Sequence, residues 1–271
     1  MIVVTGATGN VGRELAGLLA AAGEQMTAVS RNAADLPHNV RHVQADLADP
    51  ATLRPAFDGA EALFLLVAGD DPHAVLATAA HAGVRRVVLL SSQGAGTRPD
   101  SYRHPAAFEQ AVKDSGLEWT LLRPGGFASN AYAWAESVRA RRTAAAPFGD
   151  VGLPVIDPAD IAEVASAVLR EPGHASRTYE LTGPELLTPR ERAAAIGQAL
   201  GEPVRFVEQS RDEARAQMLH LMPEPVADAT LAILGAPTPA EQRISPDVER
   251  VLGRAPRTFA TWAARNLAAF R

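Results

Sequence analysis

The sequence predicts an α/β protein built on a parallel sheet covered on both faces. Three observations carry this. Short apolar runs alternate with helical patterns through the first half of the chain. Those runs are apolar throughout rather than alternating, as in strands buried on both sides. The first of them leads through Gly6, Gly9 and Gly12 directly into a helical pattern.

The elements follow in order. Ile2–Thr5 reads as a strand and Arg13–Ala22 as its helix; Met26–Ser30 and Val40–Gln44 read as strands two and three. A helix is expected near Pro50–Phe57, a strand at Ala62–Val67 with its helix at Pro72–Ala82, and a fifth strand at Val87–Ser91. Ala106–Ser115 reads as a helix and Trp119–Arg123 as strand six. Beyond Pro124 the pattern loosens. Phe127–Arg142 looks helical and Ala144–Pro154, with its Gly and Pro, reads as loop. Asp157 and Asp160 suit a helix start, and that helix runs to about Leu169. Arg177–Leu181 alternates like a strand able to rejoin the sheet. Thr188, Pro189 and Glu191 form a capping-box pattern for a helix that stops at Gly201. Val204–Val207 is a further strand, and the remainder reads as helices broken by prolines. The expected organisation is a nucleotide-binding domain over 1–150 and a smaller, mostly helical substrate-covering lobe over 151–271, with pieces of the lobe returning to the sheet.

Composition narrows the classes. The 271 residues are 47% hydrophobic with net charge −5, enough for one large α/β domain with a lobe. The densest basic cluster, Arg139, Arg141 and Arg142, is too short to suggest nucleic-acid binding. There are no cysteines, which excludes disulfides, thiolate metal sites and a cysteine nucleophile, and no metal is expected. Apolar runs are of strand length and no targeting signal is evident, so a cytoplasmic protein that neither spans nor binds a membrane is expected. Lys113 is the only lysine among many arginines and alanines, a GC-rich composition.

The turn from strand one into helix one, Gly6-Ala7-Thr8-Gly9-Asn10-Val11-Gly12, reads as a phosphate cradle. Gly6 allows the turn, Gly9 lets a pyrophosphate approach the backbone, and Gly12 lets helix and strand pack closely. The free N–H groups at the helix start face the anion. The fold expected is therefore a Rossmann-type doubly wound parallel sheet, holding a dinucleotide. Strand two ends in Ser30, Arg31 and Asn32, with no carboxylate to meet a ribose and a guanidinium where a 2′-phosphate would sit. NADP(H) is preferred over NAD(H). Asp46 and Leu47, after strand three, are placed for the adenine, although Asp46 also suits a helix cap. Val67, Ala68 and Gly69 are small enough to admit the diphosphate and ribose. Pro124 and Gly125, after strand six, should abut the nicotinamide.

These residues resemble the NmrA-like branch of the atypical short-chain dehydrogenase/reductases. The likeness rests on Thr5 to Gly12, Ser30-Arg31-Asn32, Ser91-Ser92, Leu122-Arg123-Pro124-Gly125, Asp157 to Ala162, Tyr179 to Pro184 and Gly253 to Phe259. It implies an NAD(P)-binding domain with a small C-terminal lobe. Family members include quinone reductases, other small-molecule reductases, and redox-sensing regulators that bind the nucleotide without turning it over.

The tyrosine–lysine pair of better-known short-chain dehydrogenases is missing, since Ala106 stands four residues after Tyr102. The remaining catalytic candidates are Ser92, which could orient a carbonyl or merely cap a turn, and Tyr102 and His104, either of which could donate a proton or lie idle in a surface loop. In family members a carboxylate at the position of Glu109 often replaces the lysine, acting in chemistry or only as a cap or ion-pair partner. Phe127, Asn130 and Trp134 are substrate-cleft candidates, with ordinary core packing the alternative for Phe127 and Trp134. Hydride transfer to a quinone makes weak acid catalysis tolerable, because cofactor geometry supplies much of the rate. The expected function is NADPH-dependent reduction of a quinone or another planar apolar carbonyl compound. A non-catalytic redox sensor, and a tailoring enzyme of aromatic polyketide biosynthesis acting on a quinone or hydroquinone, with oxygenation as one form, are the alternatives. The expected partner is a small aromatic or quinone substrate, and a homodimer is left open.

Overall fold

The computed structural model describes residues 1–32, 36 and 40–271. Nine strands are formed among the described residues: β1 Ile2–Thr5, β2 Met26–Ser30, β3 Arg41–Gln44, β4 Ala62–Leu66, β5 Arg86–Leu90, β6 Glu118–Pro124, β7 Thr143–Pro147, β8 Arg177–Leu181 and β9 Arg205–Gln209. The helices are α1 Asn10–Ala21, α2 Arg54–Phe57, α3 Pro72–His81, α4 Gln93–Thr97, α5 Arg103–Asp114, α6 Ala135–Arg141, α7 Pro158–Arg170, α8 Pro189–Leu200, α9 Arg211–Met218, α10 Glu224–Gly235, α11 Asp247–Leu252 and α12 Phe259–Arg265. The main sheet has seven strands in the order β3-β2-β1-β4-β5-β6-β8. Every pairing in it is parallel. The order reverses next to β1, which opens a crevice at the carboxyl end of β1, where doubly wound sheets take their ligands.

The central strands β1, β4 and β5 are almost wholly apolar because both faces are covered, whereas the outer strands β3 and β8 carry polar residues. Val4, Phe64, Val88 and Leu122 turn to one face and pack under α1 and α7. Val3, Leu63, Leu65, Leu89 and Leu121 turn to the other and pack under α2, α3 and α5. Small residues let α1 and α7 approach each other, Ala16 on one and Ala162 and Ala165 on the other.

The lobe has its own core, in which Trp262, Phe259 and Phe270 gather with Trp134, Val138 and Ile196. It is not one contiguous segment. Residues 158–181 supply α7 and β8 to the sheet layer, while residues 128–147 contribute a 3-10 turn, α6 and β7 to the lobe. Five local expectations change. Helix α5 begins at Arg103 rather than Ala106, so His104 lies on its first turn and not in the loop before it, with Tyr102 as the N-cap. Helix α1 begins at Asn10 rather than Arg13, with Gly9 as its extended N-cap. The stretch Ala128–Trp134 is 3-10 helix, and α-helical geometry starts only at Ala135. The short α4 was not foreseen. The alanine-rich Thr143–Pro147, expected as loop from Ala144, is a strand that pairs in parallel with β9. Alanine is a poor strand former, so partner and burial override local preference here. No helix among the described residues is long and apolar enough to cross a membrane.

Candidate functional site: a dinucleotide crevice at the carboxyl edge of the sheet

The glycine turn is held from both sides. Thr5 Oγ1 donates to the Phe64 carbonyl at 2.9 Å and accepts from Leu66 N–H at 3.0 Å, which locks β1 to β4. Ala7 N–H donates to Val29 O at 3.2 Å, which ties the turn to β2. Gly12 is required by close approach. A Cβ there would lie 2.1 Å from the Gly6 carbonyl oxygen and 2.9 Å from Ala7 Cα, both backbone atoms that cannot swing aside. The first turn of α1 has no side-chain cap and no acidic residue. Its N–H groups and the positive end of the helix dipole are therefore open to an anion.

Beside this turn lies a cavity of about 450 Å³. Its walls are Thr5, Gly6, Thr8 and Gly9 from the turn, Val29, Ser30 and Arg31 from β2, Ala45 to Ala48 after β3, and Leu66, Ala68 and Gly69 after β4. Gly69, at φ +80°, presses against the loop after β3: a Cβ would lie 2.5 Å from Leu47 O. The cavity thus gathers Gly6, Thr8, Gly9, Ser30, Arg31, Asp46, Leu47, Ala68 and Gly69 from separate loops. Asn10, Val11 and Gly12 lie in the first turn of α1, and Asn32 is exposed after β2. Val67 packs partly against the sheet core, and Pro124 and Gly125 lie at the end of β6.

The loop after β2 is tied down. Ser30 Oγ donates to Asn32 O at 2.6 Å and is 2.8 Å from His42 Nε2, and Gln44 Nε2 donates to Arg31 O at 2.9 Å. The Arg31 side chain is exposed. The Asp46 carboxylate accepts the Ala48 N–H at 3.0 Å, so it shapes the loop after β3 as well as lining the cavity. Ala45, Ala48 and Leu66 were missed in the sequence because they serve through backbone shape and size, which no motif marks.

The catalytic candidates separate spatially. Ser92 follows β5 by two residues at the carboxyl edge, and its Oγ accepts Gly94 N–H at 3.2 Å as the N-cap of α4. Tyr102 lies against Gly94, where a Cβ would come within 2.7 Å of its ring. Burial and the nearby Glu241 charge raise its pKa, partly offset by the Thr230 hydroxyl and Arg98. His104 is exposed and Nε2 contacts Gly69 O at 2.8 Å, so it buttresses a wall of this cavity. Glu109 is 3% exposed, away from the cavity walls. It accepts Ser91 Oγ at 2.7 Å and both Arg123 Nε at 2.8 Å and Nη2 at 2.6 Å, with Lys113 Nζ at 3.9 Å. Burial pushes the Glu109 carboxyl up, but Arg123, Ser91 and Lys113 together outweigh that and hold it below its ordinary value. A carboxylate held this way is a structural anchor between β5, α5 and β6.

Phe127 is half-buried against the main core, Asn130 is exposed, and Trp134 is 8% exposed with its indole N–H donating to Ala145 O at 2.8 Å. Gln93 received no role from the sequence. It is buried after Ser92, its Nε2 contacts Ala240 O at 3.4 Å, and its Oε1 lies beside Gly125, 3.5 Å from where a Cβ would stand. Asn10 Nδ2 donates to Ser129 Oγ at 3.1 Å, which joins the glycine turn to the start of the lobe.

A glycine turn at a strand reversal, an uncapped helix start and a wall of small residues define a dinucleotide-binding protein of the doubly wound class. The comparisons agree: residues 6–172 match a family described as NAD(P)H-binding, and the chain belongs to that family. It is 40% identical to a (4-alkanoyl-5-oxo-2,5-dihydrofuran-3-yl)methyl phosphate reductase of Streptomyces griseus, over all of this chain and 99% of the relative. It is 37% identical to an NAD(P)H azoreductase of Xenophilus azovorans, again over all of this chain and 99% of the relative. Among solved structures, an NADPH-dependent quinone oxidoreductase of Escherichia coli complexed with NADPH matches with TM-score 0.80 and 27% identity. That match covers 98% of this chain and 99% of the other.

Proposed function

We propose that the protein is an NADPH-dependent oxidoreductase that reduces a small, planar, electron-poor carbonyl compound such as a quinone. The observation that carries this is the pairing of an open anion-binding turn with Arg31 at the rim of the 450 Å³ cavity, and no carboxylate at the end of β2. The fit to the cofactor rests on those residues. The α1 start takes the diphosphate, Arg31 takes the 2′-phosphate, the Ala45–Ala48 loop takes the adenine end, and Gly125 with Gln93 flanks the nicotinamide end. Bound NADPH supplies a hydride.

The chain's own contribution is positional. The Glu109–Arg123 pair and the Ser91 hydroxyl fix the ends of β5 and β6 relative to one another. That steadies Ser92 and Gln93 at the edge where an acceptor would stack. Ser92 keeps one hydroxyl hydrogen free to meet a substrate oxygen, since its Oγ acts only as acceptor toward Gly94. Among the described residues no strong general acid is placed at the edge, so the single proton that must accompany the hydride comes from solvent. This suits acceptors whose reduced oxygen is a stable anion. The named substrates of the relatives, a conjugated oxo-dihydrofuran phosphate, azo compounds and quinones, are all electron-poor π systems.

The test is turnover of a panel of quinones, enones and azo compounds with NADPH and with NADH. Reduction of at least one class with a clear NADPH preference is expected; binding without turnover across the panel overturns the reading. That outcome would favour a redox sensor, a role compatible with the structural engagement of Tyr102, His104 and Glu109.

A further inference from the structure

Gln93 follows β5 by three residues and opens α4 at the carboxyl edge of the sheet. It is 7% exposed. A side-chain amide buried to that degree normally has both ends hydrogen-bonded. Here one end is. Nε2 donates to Ala240 O at 3.4 Å, in the lobe segment between α10 and α11. That contact also fixes which way the amide points, because the reverse orientation would face two oxygens with no hydrogen between them. Oε1 accepts no hydrogen bond among the described residues, yet it is not sealed from solvent, as Arg192 Nε is.

Oε1 lies beside Gly125, 3.5 Å from where a Cβ would stand. Pro154 O and Leu181 O lie 3.5 and 3.9 Å from the same point. Those two carbonyls already have donors: Gly183 N–H meets Pro154 O at 3.4 Å, and Gly125 N–H meets Leu181 O at 3.0 Å. The space beside Gly125 is thus lined with oxygens and lacks one donor.

The topology selects that donor. In the order β3-β2-β1-β4-β5-β6, the loop after β3 and the end of β5 stand equally far from β1, two strand spacings or about 10 Å each. A dinucleotide held by its diphosphate at the glycine turn, with its adenine half reaching the Ala45–Ala48 loop, lays its nicotinamide half, of like length, at the end of β5. A nicotinamide carries a carboxamide there, and the NH2 of that carboxamide is a hydrogen-bond donor.

We propose that Gln93 Oε1 accepts a hydrogen bond from the carboxamide NH2 of the nicotinamide, and that Ala240 O holds the Gln93 amide in the orientation this requires. A ring held at its carboxamide does not rotate about its glycosidic bond, so one fixed face is turned to the acceptor. The proposal rests on the placement of the nicotinamide end at Gly125 and not on turnover.

The test is a cycle of calorimetric titrations on the full chain, with no substrate present. NADP+ is compared with its acetylpyridine analogue, in which a methyl ketone replaces the carboxamide: the carbonyl stays and the donor is gone. Each is titrated into the wild type, Gln93→Met and Gln93→Leu, with melting as the check that the variants fold. The wild type is expected to bind NADP+ about threefold to tenfold tighter than the analogue, the worth of one neutral hydrogen bond. Both variants should bind the two cofactors alike. A purely structural role for Gln93 would weaken both cofactors equally and leave the wild-type ratio in the variants, which overturns the proposal. Equal binding of the two cofactors by the wild type also overturns it, and needs no variant. Failure of the wild type to bind NADP+ defeats the placement of the nucleotide as well. The predicted ratios without turnover of any quinone, enone or azo compound defeat the reductase reading alone.

Discussion

Replacing Glu109 with leucine should be among the most destabilising single changes in the sheet layer, and replacing its partner as well should rescue it. Glu109 is 3% exposed, and the Arg123 side chain is 19% exposed. Their two-pronged contact is made at 2.8 and 2.6 Å. Glu109→Leu leaves the Arg123 guanidinium almost out of water and without its counter-charge, and unpairs Ser91 Oγ as well. Breaking one side of a buried pair costs about 3–5 kcal/mol. For a chain of this size that lowers the melting temperature by roughly 10 °C. Glu109→Leu combined with Arg123→Met removes both charges, and well-packed apolar replacements are often neutral, so the double variant should recover most of the loss. Thermal melting of the four proteins completes the cycle. A single variant within about 1 kcal/mol of wild type, or a double variant no better than the sum of the singles, refutes the anchoring role. The same pair sets a pH dependence. The folded Glu109 pKa lies below the ordinary 4.5, so the stability it contributes is fully present above that value and is lost as pH falls through the folded pKa. The acid limb of the melting profile should therefore be shallower in the double variant.

Gly12→Ala forces a methyl group against the Gly6 carbonyl. It should cost about 1–3 kcal/mol in melting experiments and weaken NADPH binding; unchanged melting and titration would contradict the close approach. Arg31→Ser should weaken NADPH about tenfold to a hundredfold by fluorescence titration while leaving NADH unchanged. Glu241, 1% exposed, holds Arg98, Thr97 Oγ1 and the Thr238 N–H, and so fastens the lobe segment before Ile244 onto α4. Glu241→Gln should cost about 1–3 kcal/mol in stability and raise the substrate KM with little change in NADPH affinity, as steady-state kinetics would read.

The glycine turn and the residues that follow β2 were legible as neighbours of one crevice because their placement is local. Gly6, Gly9 and Gly12 stand on one turn, and Arg31 follows directly from the end of β2, so spacing alone places them. The continuous apolar runs likewise announced a sheet covered on both faces. What could not be read depends on contacts between distant segments. The strand at Thr143–Pro147 exists only because Arg205–Gln209 lies beside it. Glu109 could be read as a cap or ion-pair partner more readily than as a catalytic group, but its partner Arg123, fourteen residues on, could not be named until folding brought the two into contact. Gln93 carries no motif; its interest arises from the neighbours, Ala240 and Gly125, that folding gives it.

The central claim, that the nucleotide held at the glycine turn is spent on a substrate, is tested most directly by a single turnover. Protein loaded with an equivalent of NADPH is mixed with excess quinone, and the reduced nicotinamide absorbance is followed against an enzyme-free control. The expected result is loss of the signal in one exponential phase, faster than the control at every quinone concentration. A cofactor that stays bound and reduced throughout would contradict the account.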